Sequence, residues 1–99
     1  MEIAQTILAQ LGGNKFIAMT GATNLSAGND NLQMKLGKGT KNKATHLTIT
    51  LDKLNDTYRM EFLKFNMRSG VIKLPAIYGL HAEDLQRVFT EHTGFDTHL

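Results

Sequence analysis

An α+β fold, with an antiparallel sheet of about five strands covered on one face by an N-terminal and a C-terminal helix, is predicted by three observations. Two amphipathic segments closed by glycine stand near the two ends of the chain. Five strand-like runs lie between them. The links between those runs are too short for the crossovers that parallel strands need. At 99 residues the chain is expected to form a single domain spanning 1–99. A domain of this size buries roughly 65% of the surface that its unfolded chain exposes. Hydrophobic residues make up 41% and charged residues 20%, enough apolar content to build a core without staples.

The first helix is expected over 2–11. Ile3, Ile7, Leu8 and Leu11 recur with helical spacing, Glu2 suits the positive end of the helix dipole, and Gly12-Gly13 can terminate the helix. Lys15 to Ala22 reads as a buried strand, with Phe16 and Ala18 on one side and Ile17 and Met19 on the other. Gly21 to Asn31 is rich in Gly, Asn, Ser and Thr and reads as a turn region. Leu32, Met34 and Leu36 alternate with Gln33 and Lys35, a half-buried strand. Gly37 to Ala44 reads as a polar, flexible loop.

Leu47, Ile49 and Leu51 alternate with His46, Thr48 and Thr50, the cleanest period of two in the chain. A short connection follows, with Asn55-Asp56 as turn residues. Tyr58, Met60 and Phe62 give the next strand. The pattern blurs at Leu63-Lys64-Phe65, which predicts a bulge or exposed apolar side chains. Ser69-Gly70 turns the chain into a strand over 71–74, which Pro75 ends or confines to a sheet edge. The second helix is expected over 81–93. Its stripe is Leu85, Val88, Phe89 and a partly buried His92, its first turn holds Glu83 and Asp84, and Gly94 stops it. Phe95 and Leu99 are expected to dock. The predicted core is Ile3, Ile7, Leu11, Leu47, Ile49, Leu51, Leu85, Val88 and Phe89.

Several chemistries lack their residues. There is no cysteine, so disulfide and thiolate chemistry are absent. No two of His46, His81, His92 and His98 stand three or four residues apart, so no metal is expected. No Ser sits in a nucleophile elbow. The carboxylate pairs Asp52/Asp56 and Glu83/Asp84 flank a turn and open a helix; general acid–base work would require one raised pKa in a cleft. Gly37-Lys38-Gly39-Thr40 lacks phosphate-loop spacing. The expectation is a protein that is not an enzyme and carries no cofactor. The N-terminal residues carry no basic and apolar leader, and no run approaches a membrane span, so a cytoplasmic protein without membrane attachment is expected.

Net charge is +2, unevenly spread. Residues 35–68 hold eight basic side chains against Asp52, Asp56 and Glu61, a net of about +5, and residues 81–99 hold a net of about −3. Two binding surfaces follow. Lys35, Lys38, Lys41 and Lys43, extended by Arg59 on a strand, form a basic candidate for nucleic acid. Leu63, Phe65, Met67 and Ile77 exceed the alternating pattern and are candidates for contact with a protein partner or a second copy.

The segment Leu11-Gly12-Gly13-Asn14-Lys15-Phe16-Ile17-Ala18-Met19-Thr20-Gly21-Ala22 resembles a family of short, uncharacterised bacteriophage, prophage and mobile-element proteins. The stretch Leu85-Gln86-Arg87-Val88-Phe89-Thr90-Glu91-His92-Thr93-Gly94, with Thr97 and Leu99, resembles the ending of the same family. The resemblance carries no mechanistic motif. It implies a setting, a phage or mobile-element protein acting in a bacterial cytoplasm, and raises two options: an accessory nucleic-acid binder, or a small antagonist of a host protein. Mild positive charge argues against a DNA mimic.

Overall fold

The computed structural model describes residues 2–68 and 70–95. The architecture is the expected α+β fold. Helices α1 (Glu2–Leu11) and α2 (Asn14–Thr20) lead into strands β1 (Thr23–Ala27), β2 (Asn31–Lys35), β3 (His46–Asp52), β4 (Thr57–Asn66), β5 (Gly70–Lys73) and β6 (Ile77–Leu80). A 3-10 turn (Ala82–Asp84) then opens helix α3 (Leu85–Thr93). The strands form one antiparallel sheet in the order β1-β2-β3-β4-β5, and β6 also pairs with β4. β5 and β6 thus share one flank of β4, whose other flank belongs to β3.

Alternation selects the buried face. Leu32 and Met34 of β2, Leu47 and Ile49 of β3, and Tyr58, Met60 and Phe62 of β4 are all buried. α1 packs on β2 and against α3, so the helices share that face. α1 contributes Ala4, Ile7 and Leu11 to the core, and α3 contributes Leu85, Val88 and Phe89. Ile3 and Leu51, expected in the core, pack against it half-buried. Phe95 also docks there, while Leu99 and Ser69 lie outside the described residues.

Three expectations are corrected. Lys15 to Ala22 is not a strand: residues 14–20 form α2. Phe16 and Thr20, four apart, are buried while Ala18 is exposed, which is a helical period. Gly21 closes the helix at φ 66, in the left-handed region. Residues 23–27 are an edge strand rather than a turn. Its composition is turn-like because only Leu25 is even half-buried, and a register shift between Thr23 and Ser26 absorbs Asn24 at φ 53. A sixth strand, β6, follows Pro75. At Leu63–Phe65, of the two alternatives expected, exposure holds rather than a bulge: β4 continues to Asn66 with its register unbroken, Phe65 is exposed and Leu63 half-buried.

The C-terminal helix differs in one position. Thr93, not His92, completes the buried stripe, and its hydroxyl donates to Phe89 O at 2.8 Å. His92 is exposed and lays its ring against Phe62, centroids 5.7 Å apart. At the start of the helix, Asp84 accepts the His81 backbone N–H at 3.1 Å and the Arg87 guanidinium at 3.2 Å. Those two hydrogen bonds, the backbone one first, hold the Asp84 carboxyl below its ordinary pKa.

Phe89 is fully buried between Phe16, 4.9 Å away edge-on, and Phe62 at 6.4 Å. Phe89→Ala is expected to cost about 3–5 kcal/mol, read as a lower denaturant midpoint. The lowered Asp84 carboxyl sets the sign of a pH effect. Its stabilisation is present above the ordinary carboxyl pKa and is lost as pH falls through the lowered folded-state value. Thermal unfolding of Asp84→Asn should therefore show a shallower loss of stability between neutral and acid pH than the parent chain.

Candidate interaction surface

Two surfaces expected separately from the sequence meet at one end of the sheet. The loop between β2 and β3 closes where Leu36 N–H donates to Thr45 O at 2.8 Å. Thr45 then ties it to β4. Its N–H donates to Leu63 O at 2.8 Å, and its hydroxyl accepts the Phe65 N–H at 2.8 Å. The lysine loop thus abuts the C-terminal end of β4, across that strand from β5.

The loop is not the flexible segment its composition suggests. Thr40 is buried and its hydroxyl donates to Ala44 O at 2.9 Å, while the Ala44 N–H donates to Asn42 Oδ1. Lys41 N–H donates to Thr93 O at 2.7 Å, pinning the loop to the C-terminal end of α3. That end carries partial negative charge, which a lysine stabilises, so Lys41 has a structural account as well as a binding one. At the loop's start, Gly37 N–H donates to Thr20 O at 3.0 Å, and a Cβ at Gly37 would stand 2.5 Å from that oxygen. No side chain fits there without a shift.

Lys38, Lys41 and Lys43 are exposed on this loop, and Lys35 is exposed at the end of β2. Arg59 does not join them. It lies opposite Thr50, toward the other end of β4, and its guanidinium is paired with Glu61 at 2.9 Å. The basic end is extended instead by Lys64, Arg68 and Lys73. No acidic residue occurs between 31 and 51 or between 62 and 82. That absence was the readable signal for these three cations.

The apolar candidates also divide. Phe65 is 51% exposed and Met67 95%, and Val71 at 59% and Ile72 at 45% join them. Four of the six large exposed hydrophobic side chains among the described residues thus sit on or beside the β4–β5 hairpin. Leu63 is half-buried on the open sheet face, opposite His46 and Lys73. Ile77 is not part of this surface: in β6 it pairs with Met60 and packs on the core. Val71 and Ile72 were missed because a Val-Ile pair in a strand reads as buried, whereas all of β5 is exposed.

The opposite end of the sheet is acidic. Asp30 and Asp56 lie in its turns and Asp52 ends β3, beside Lys53, which pairs with Asp30 at 3.1 Å. A depression of about 640 Å³ opens there, lined by Thr50, Asp52, Arg59 and Tyr78 among others. Its carboxyl chemistry runs against general acid catalysis by Asp52, because the Asn55 side-chain amide, donating at 2.8 Å, holds that group below its ordinary value. Asp84 is lowered too, by the His81 N–H and the Arg87 guanidinium. Among the described residues no three His, Cys, Asp or Glu side chains gather as metal ligands. Among them, too, no helix is long and apolar enough to cross a membrane. Comparison of the chain with protein-family models, with curated proteins and with solved structures finds no match.

Proposed function

We propose that this chain is a small non-enzymatic accessory protein that acts by binding a protein partner through the β4–β5 hairpin. The phage or mobile-element setting and the bacterial cytoplasm are those that the sequence resemblance implies, with a host or phage protein as partner. One observation carries the reading: the cross-strand pair Phe65 and Val71 is exposed on one face of the hairpin, with Met67 exposed at its tip and Ile72 exposed on the other face. Single apolar residues scattered over a surface are ordinary. A contiguous exposed group rimmed by charge is the anatomy of a contact surface. Self-association is the weaker form of this reading, because it would bring Lys64, Arg68 and Lys73 of two copies together.

A second reading, nucleic-acid binding, is favoured by the run of cations from the lysine loop onto the hairpin with no carboxylate in either segment. Against it stands the aliphatic tip. Phosphate contacts have no use for Met67, Val71 or Ile72, and Phe65 is the one aromatic there.

Phe65→Ser with Met67→Ser should leave the chain folded at a cost of about 1 kcal/mol, since Met67 is almost wholly in solvent and Phe65 half in it. The double variant should lose a protein that the parent retains from nuclease-treated bacterial lysate. Equal retention by both would overturn the partner reading. The nucleic-acid reading is checked by changing Lys38, Lys41 and Lys43 to Ala and titrating fluorescent duplex and single-stranded oligonucleotides at several salt concentrations. If those lysines meet phosphates, affinity falls alike for every sequence, and the salt slope on duplex DNA drops by about 0.9 for each phosphate left unneutralised.

A further inference from the structure

The free edge of β5 gives the partner a conformation as well as a place. Antiparallel pairs alternate between those that exchange backbone hydrogen bonds and those that do not. Leu74 N–H donates to Phe62 O at 3.0 Å, so 62/74 is a bonded pair. By the register Lys64↔Ile72 and Asn66↔Gly70, those two pairs are bonded as well. Phe65↔Val71 and Leu63↔Lys73 are therefore the non-bonded pairs. The N–H and C=O groups of Val71 and Lys73 consequently point away from β4, along an edge that no other described strand pairs with.

We propose that β5 accepts an extended, acidic and apolar segment of the protein partner as an added strand. This rests on the partner-binding reading above and specifies its chemistry. Backbone hydrogen bonds to Val71 and Lys73 would give affinity, and alternate side chains would give selectivity. On the open face, apolar residues of the segment would meet Val71 and Phe65, and acidic ones Lys73. Lys64 and Arg68 complete a rim in which residues 62–82 contain no carboxylate. That charge favours an acidic strand over a second copy, whose own β5 would bring like charges face to face. The outward backbone groups favour a strand over a lipid surface, since hydrocarbon leaves such groups unsatisfied.

The test uses a fluorescently labelled ten-residue peptide alternating Val or Ile with Glu, a second peptide with Lys in place of Glu, anionic phosphatidylglycerol vesicles and a single-stranded oligonucleotide. Saturable binding of the Glu peptide alone is expected, with Kd below about 1 mM. Amide exchange at Val71 and Lys73 should slow by about tenfold or more in the complex. Charge reversal of Lys64, Arg68 and Lys73 to Glu should weaken it about tenfold or more. Val71→Pro removes an outward N–H without breaking a bond to β4, as edge strands allow. It should abolish binding while circular dichroism shows an unchanged fold. As a second variant, Lys73→Pro should do the same. Binding of the Glu peptide that neither proline variant reduces, with Val71 and Lys73 exchanging freely, overturns strand addition and leaves the hairpin reading to its own lysate assay. No binding of the Glu peptide, equal binding of the Lys peptide, or preference for vesicles or oligonucleotide also overturns it.

Discussion

Everything in the helical layer converges on Phe89. Its ring stands edge-on to Phe16 of α2 and tilted over Phe62 of β4, so a single side chain joins both ends of the chain to the centre of the sheet. Aromatic pairs in such geometries add about 0.5–1.5 kcal/mol beyond the area they bury. Around it the helix ends interlock: the Gln86 side-chain amide donates to Leu11 O at 2.8 Å, so α3 also satisfies a carbonyl at the end of α1. With the core confined to one sheet face, the other face and both ends of the sheet are left to polar and exposed side chains.

That division explains why the candidate surface lies where it does. β4 is ten residues long and β3 seven, so β4 outruns its neighbour at the Asn66 end. Thr45 compensates there, with a side-chain hydroxyl standing in for the strand backbone that β3 no longer provides. β5 then pairs with a stretch of β4 that has left the shelter of the helices, which is why its apolar residues are in solvent. One hydroxyl group, two residues from the lysines, sets the distance between the basic loop and the apolar hairpin.

Much of the fold was legible because burial is one-sided. Leu47, Ile49, Met60 and Phe62 alternate cleanly, and Ile7, Leu11, Leu85 and Phe89 keep helical spacing. The failures have physical causes. Phe16 to Thr20 is too short a run for periodicity to separate strand from helix, though Gly21 at its end was a helix terminator in plain view. β1 buries almost nothing, so pairing with β2 rather than composition makes it a strand. For the site, the residues Phe65 and Met67 were recognisable as surplus to the pattern. That they adjoin the lysine loop was not, because the link is a threonine hydroxyl spanning twenty positions in the chain. Arg59 lies on a strand and Ile77 exceeds the alternating pattern, but neither feature reveals their partners, Glu61 and the core, which follow from the strand register.

The separation of charge along the strands has a bearing on how the molecule approaches anything at all. Lys35, Lys38, Lys41, Lys43, Lys64, Arg68 and Lys73 gather at one end, while at the other Asp30, Asp52 and Asp56 outnumber Lys53 and Arg59, so the small net charge of +2 conceals an uneven distribution along the sheet. Within a Debye length, about 8 Å in physiological salt, a charged surface meets that distribution rather than the net charge. A charge distribution of this kind steers the cationic end toward an anionic surface, and steering of that sort weakens as salt rises.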